Sequence, residues 1–360
     1  MHYTLGLIGY GYWGRLLANE FSAITKLQDQ ASLKYCVDSL PANRQAAARS
    51  PIQWEVLSDA KELLAKRDVD AVIIATPPRT HFELGKLALE AGKHVLMEKP
   101  LATTSADAKT LASIATKMNK TLMVDDTFTY VLGVNILKER MRNEDFGTLR
   151  KIYLEFKALG KYQESGVIWD LGSHIVSIAG HLIGSYPAEI QVHGPTRSAL
   201  TAGVANYGDY DSTGLTLYGP DGTPVDAEIS WIDGQKIRRF IAVGTKQKLI
   251  YDDVAQGSHR LMVVNAGANL INSKNGLSFT ELPTNAEEVA TVIRYGDIVL
   301  HAIDAARSPL SVMLEHFADC MMNGKCPQSS AENGFRAVRC IEAMYESIRN
   351  NGTRVTVNYT

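Results

Sequence analysis

The stretch LGLIGYGYWGRLLANEF, Leu5–Phe21, changes character at its middle, and the fold of the N-terminal third follows from that change. Leu5–Ile8 is a short apolar run suited to a buried strand, whereas Gly14–Phe21 spaces its apolar side chains at helical intervals. Between them Gly9–Gly14, GYGYWG, fits G-x-G-x-x-G. A glycine-rich turn alone is a weak signal; between a strand and a helix it points to a dinucleotide. Gly9 permits the tight turn, Gly11 lets backbone approach a pyrophosphate, and Gly14 allows close helix–strand packing. Tyr12 and Trp13 open the helix, whose free N–H groups suit phosphate. The next strand ends in KYCVDS, which puts Asp38 where an acid for the ribose hydroxyls is expected. A carboxylate there repels a 2′-phosphate and favours NAD, while Ser39 and Arg44 leave NADP open.

Strand-like runs at Tyr3–Ile8, Ser32–Val37, Gln53–Leu57, Ala71–Ala75, His94–Met97 and Thr121–Val124 alternate with helical patterns. The helical patterns are Tyr12–Ala23, Pro41–Arg49, Asp59–Ala65, His81–Glu90 and Thr103–Met118, the last carrying a capping signal at Thr104 and Asp107. This alternation predicts an α/β domain with a doubly wound parallel sheet over residues 1–125. After about residue 148 the period becomes that of half-buried strands, as in Lys151–Ala158 and Val225–Trp231. Thr213–Gly219, Arg238–Gly244 and His259–Val264 add strands, and helices are expected near Trp169–Ile183, Leu310–Asn323 and Ala331–Asn350. Residues 126–360 thus read as an α+β domain with a large, mostly antiparallel open sheet, whose uncovered face suits another subunit, as a homodimer or homotetramer.

Composition narrows the function. With 37 basic and 39 acidic side chains evenly spread, no basic stripe offers itself to nucleic acid or an anionic membrane. No apolar run is long enough to cross a bilayer, and the N-terminus lacks the pattern of a secretory signal, so a cytoplasmic enzyme is expected. The four cysteines have no CxxC spacing and read as buried free thiols.

Three segments carry chemistry. ATPPRTH, Ala75–His81, follows the fourth strand, so Thr76 and Pro77 belong to the cofactor floor and His81 starts the next helix. LMEKPLATT, Leu96–Thr104, places Glu98 and Lys99 at the end of the fifth strand, on the same sheet edge. A lysine there can donate to a substrate oxygen, and Glu98 can bond the nicotinamide riboside or hold Lys99. In GVIWDLGSHIVSIAGHLIG, Gly166–Gly184, Asp170 and His174 are four apart and share a helix face. The pair suits proton transfer near neutral pH. Read instead with His181 it is an incomplete metal site; no metal is expected, because further ligands are lacking.

With these segments in hand, the chain resembles the Gfo/Idh/MocA oxidoreductases along nearly its full length. The resemblance rests on GYGYWG, on DAVIIATPPRTHFELGKLALEAGKHVLMEKPLATT, on WDLGSH and on the tail PLSVMLEHFADCMMNGKCPQSSAENGFRAV. It implies an N-terminal Rossmann domain and a second domain often used in oligomerisation, with Lys99, Asp170 and His174 catalytic. Within the family, GYWG, VDDTFTYVLGVNILKE and VIWDL are most similar to the branch acting on nucleotide sugars. A carbohydrate or nucleotide-sugar substrate is therefore expected, with Thr127, Tyr130 and Trp169 as candidate substrate contacts. Asp125–Asp126 and Ile175 depart from that branch, and Ser177 stands where an acidic residue is common elsewhere in the family, which leaves the substrate open. The expected reaction is reversible alcohol–ketone oxidoreduction, with His174 taking the hydroxyl proton, Lys99 bonding the reacting oxygen and Asp170 keeping both in register. An NADPH-dependent keto-sugar reductase and a non-catalytic dinucleotide sensor are the alternatives.

Overall fold

A computed structural model of the chain describes residues 2–159, 165–197, 210–256, 260–265, 271–272, 277–278, 298–301 and 307–360. By packing, Met1–Val131, Arg307–Glu342 and Asn358–Thr360 form one compact unit, and Leu132–Ala306 with Ala343–Val357 a second. The expected boundary at 125/126 falls just before the first transition, and part of the C-terminal tail belongs with the N-terminal residues.

The first unit alternates strand and helix: β1 Tyr3–Ile8, α1 Tyr12–Ala23, α2 Thr25–Gln28, β2 Ala31–Val37, α3 Pro41–Ala48 and β3 Glu55–Leu57. It continues with α4 Ala60–Ala65, β4 Ala71–Ile74, α5 His81–Glu90, β5 His94–Glu98, α6 Ser105–Lys117 and β6 Leu122–Asp125. All strands pair in parallel, in the order β3-β2-β1-β4-β5-β6. Their near-continuous apolar runs suit burial on both faces: every residue of β4 is buried. Two helix starts of this sheet are set by side chains, since Asp59 accepts the Lys61 N–H and Thr104 accepts the Asp107 N–H, the latter as the capping signal predicts. Strand order reverses between β1 and β4, so a crevice opens at their carboxyl ends. The ends of β1, β2, β4, β5 and β6 deliver Gly9, Asp38, Thr76, Glu98 and Asp125 to that edge.

The second unit begins with α7 Leu132–Arg140, β7 Leu149–Leu159, a π turn at Ile168–Gly172, α8 Ser173–Ile183 and β8 Glu189–Thr196. There follow β9 Ser212–Tyr218, β10 Pro224–Ser230, β11 Ile232–Gly244, β12 Gln247–Asp252, β13 Leu261–Asn265, β14 Ile271–Asn272, β15 Leu277–Ser278 and β16 Ile298–His301. With β17 Val355–Thr356 they make a nine-stranded sheet ordered β16-β13-β12-β11-β7-β10-β9-β8-β17, and β14 and β15 pair separately. Among the described residues of this sheet only β7 and β10 pair in parallel, so the sheet is mostly antiparallel. On β7, Ile152, Leu154 and Phe156 are buried while Tyr153 between them is 38% exposed, the alternation expected of a half-covered sheet. His259, at the start of one expected strand, lies outside the described residues.

Two helices complete the chain, α9 Pro309–Asn323 and α10 Ala331–Arg349. Met313, Leu314, Phe317, Ala318 and Met321 of α9 share a core with Leu17, Phe21, Met123 and Tyr130, which is why the tail groups with the parallel sheet. Burial of each large side chain contributes roughly 1.5–3 kcal/mol. Of the cysteines, Cys36, Cys320 and Cys340 are buried as expected, but Cys326 follows α9 on the surface and is exposed.

Candidate active site

The glycine turn requires glycine at two positions and leaves open space at a third. Gly9 has φ +98°, and a Cβ there would lie 2.6 Å from the Ala75 carbonyl oxygen. A Cβ on Gly14 would lie 2.0 Å from the Gly9 oxygen, so α1 starts hard against the turn. A Cβ on Gly11 would meet nothing within 4 Å, so its backbone faces open space. Tyr12 beside it is 69% exposed. Asp38 braces this turn: its Oδ2 accepts the Tyr10 N–H (2.8 Å) and Asn43 Nδ2 (3.0 Å), and its Oδ1 accepts the Leu40 N–H (2.8 Å). A carboxylate offers about four acceptor positions, so capacity remains for a ribose hydroxyl. Arg44 directs Nη1 to the Asp38 and Ser39 carbonyls, at 2.9 and 2.8 Å, which ties that arm to backbone. A half-open glycine turn, an uncapped α1 N-terminus and a buried acid at the end of β2 together fit the pyrophosphate and ribose of NAD.

After β4, Thr76 is half-buried and Pro77 exposed. His81 is fully buried, and directs Nε2 to the Thr76 carbonyl at 2.8 Å and Nδ1 to the Pro100 carbonyl at 2.7 Å. Burial lowers its pKa more than the two carbonyls raise it. His81, expected among the cofactor contacts, lies buried between the end of β4 and the turn that carries Lys99, where in its neutral form one of the two ring nitrogens donates.

In that turn Glu98 folds back so that its Oε2 accepts the N–H of Lys99. The Lys99–Pro100 peptide bond is cis, the form that base rates for X–Pro bonds disfavour. Across the sheet, Glu98 stands in register with Asp125 of β6. Asp125 is 2% exposed; its Oδ2 accepts the Trp13 indole N–H at 2.7 Å and its Oδ1 accepts the Thr127 hydroxyl. Burial raises the Asp125 pKa, opposed by those two donors and by the charge of Lys99. Tyr130, expected to touch substrate, is packed in the core: it is 6% exposed and its hydroxyl meets Ser329 Oγ at 3.2 Å.

The second unit holds the remaining candidates. Trp169 and Asp170 lie within the π turn Ile168–Gly172, which leads directly into α8 and its His174. A single π turn inside a helix is uncommon and recurs at functional sites. Asp170 Oδ2 accepts the indole N–H of Trp231 at 3.2 Å. The His174 ring stacks on Phe156, with centroids 6.1 Å apart and planes 29° apart. His181 has other partners: Nε2 meets Asn135 Oδ1 at 2.9 Å and Nδ1 meets Lys138 Nζ at 3.3 Å. A lysine donating to Nδ1 suits no metal ligand, and among the described residues no group of three or more His, Cys, Asp or Glu could hold a metal ion.

Sequence reading singled out Lys99, Asp170 and His174 but not Asp125 or Trp231. Asp125 stood out only as a departure from a related pattern, and Trp231 only as the end of an alternating strand.

Comparison with known proteins bears on both units. Residues 3–126 match the model of the oxidoreductase family with an NAD-binding Rossmann fold, and residues 134–250 match the GFO/IDH/MocA C-terminal domain. The UDP-N-acetylglucosamine 3-dehydrogenase of Acidithiobacillus ferrooxidans is 28% identical over 244 residues, 67% of this chain and 71% of that protein. The scyllo-inositol 2-dehydrogenase (NADP(+)) IolW of Bacillus subtilis is 24% identical over 365 residues, 97% of this chain and 94% of that one. Among solved structures, a levoglucosan dehydrogenase in complex with NADH and L-sorbose shares the fold, with a TM-score of 0.83 at 18% identity, covering 99% of this chain and 100% of that chain.

Proposed function

The chain belongs to the Gfo/Idh/MocA family of NAD-binding oxidoreductases, and from that premise we propose that it interconverts a secondary alcohol and a ketone on a sugar, sugar nucleotide or cyclic polyol. The supporting observation is the position of Lys99. It follows β5 at the carboxyl edge that carries the glycine turn, with its backbone N–H held by Glu98. Bound along that edge, NAD would supply the hydride acceptor for the carbinol carbon, and NADH the donor for the reverse direction. Gly9, Gly11 and Gly14 admit its pyrophosphate, and Asp38 receives a ribose hydroxyl.

His174 takes the hydroxyl proton during oxidation and returns it during reduction. Lys99 donates a hydrogen bond to the reacting oxygen and stabilises the negative charge that builds on it. Asp170, bonded to Trp231, orients His174 one turn on. Trp169 and Thr127 are the proposed substrate contacts. The outward row Tyr153, Ile241, Ile250, Met262 and Leu300, adjacent in register across five strands, supports a homo-oligomer built on the open sheet.

Mixing the protein with NAD and a panel of inositols, hexoses and UDP-sugars, and following NADH absorbance, tests this reading. Reduction of NAD by at least one panel member is expected. Absence of turnover in either direction, with the keto products and NADH included, would overturn it in favour of a dinucleotide sensor.

A further inference from the structure

Trp13 lies in the glycine turn, Lys99 just past β5, and the buried carboxylate of Asp125, at the end of the neighbouring β6, is bonded to the first and lies in register with the residue before the second. Asp125 accepts from Trp13 Nε1 at 2.7 Å and from the Thr127 hydroxyl, and it stands in register with Glu98, the residue before Lys99. At 2% exposure a carboxylate is stabilised only by such donors and by a neighbouring cation. Lys99 supplies the cation, while Glu98 across the register and Asp126 next in the chain are the acids around it.

Resting on the reaction proposed above, we infer that Asp125 is a positioning residue that ties the Trp13 indole of the dinucleotide turn to the edge bearing Lys99 and, once ionised, presents a negative charge to the lysine. The consequence is twofold. Trp13 is held as part of the cofactor floor rather than free to rotate over it. Where Asp125 is ionised it favours the charged, donating form of Lys99, because the attraction between the two charges is mutual. Two features at opposite ends of the domain sequence, the glycine turn and the lysine turn, are thereby coupled through a third.

Asp125→Asn separates this role from simple packing, because it keeps shape and one acceptor while removing the charge. The expected result is a fall in kcat of about tenfold or more, with the basic limb of the kcat–pH profile displaced to lower pH. Trp13→Phe is expected to weaken NAD binding several-fold while leaving that limb in place. In the protein without dinucleotide, the tryptophan emission is expected to change in a pH-dependent step that both variants lose. An unmoved pH profile in a folded Asp125→Asn enzyme, or an emission step that survives both substitutions, would overturn the inference. If instead Lys99→Ala retains full turnover, the proposed reaction itself fails, and the emission step still reports separately on the Trp13–Asp125 link.

Discussion

The indole N–H of Trp13 donates to the carboxylate of Asp125 across 2.7 Å, joining residues 112 positions apart in the chain. The bond fixes the first turn of α1 against the end of β6, on the sheet edge where Lys99 follows β5. The glycine turn is thus anchored on one side by Asp125 and on the other by Asp38, through the Tyr10 N–H. Both anchors are carboxylates at strand ends, and both are buried.

Two glycines of the turn should respond differently to one added methyl. Gly11→Ala is expected to fold and melt like the wild type, since its Cβ meets nothing within 4 Å, yet to lose most NAD affinity. Gly14→Ala puts a Cβ 2.0 Å from the Gly9 oxygen and should destabilise the fold by about 1–3 kcal/mol or more. Thermal melting beside an NAD titration separates the two; equal loss of stability in both would contradict the turn geometry.

Lys99→Ala and His174→Ala are each expected to lower kcat by roughly 10²–10⁴-fold, the range for removal of a proton-transfer or charge-stabilising group. NAD affinity should stay within a few-fold of wild type, because neither side chain is assigned to the phosphates. Steady-state kinetics with an isothermal NAD titration would check both, and wild-type turnover in both variants would remove the mechanism.

Acid should weaken the fold through two histidines. Burial and neighbouring cations, Lys120 for His94 and Lys138 with Arg142 for His181, push each pKa from 6.5 down to about 4. Their ring nitrogens are used in the neutral form, since His94 Nδ1 accepts the Thr121 N–H at 3.0 Å. Between pH 6.5 and 4 the unfolded chain therefore binds more protons than the folded one, so stability is full above 6.5 and is lost as pH falls through this window. Tm measured from pH 7 to pH 4 should fall, and His181→Gln should flatten part of the decline; an unchanged slope would count against this role for His181.

Thiol labelling should find one reactive cysteine in the folded protein. Cys326 is exposed, whereas burial pushes the thiols of Cys36 and Cys340 up to about 12 and that of Cys320 to about 11. One equivalent of a maleimide is expected under native conditions and four after unfolding, with Cys326→Ser abolishing the native reaction. More than one native equivalent would show that a buried thiol is reached.

Much of the first unit is legible in local pattern. Helices α1 and α5 begin and end where periodicity places them, because glycine and proline turns punctuate the sequence there and the apolar stripes are unbroken. Lys99, Asp170 and His174 stand out for a similar reason: each sits at the end of a clear strand or on one helix face. Local pattern does not single out the strands β8 and β12, and the π turn at Ile168–Gly172 carries no periodic signature that distinguishes it from α-helix.

What the sequence determined by itself is the parallel sheet, its glycine turn and the residue types at its carboxyl edge, because these depend on interactions between near neighbours. Tertiary structure alone decided three other matters: that α9 packs into the first unit through Met313, Leu314 and Phe317, that His81 joins the Thr76 and Pro100 carbonyls, and that Asp125 receives Trp13. The physical reason is common to all three. A buried polar or apolar group takes whichever partner the packing brings to it, and most of these partners, though not Thr76, are far away along the chain.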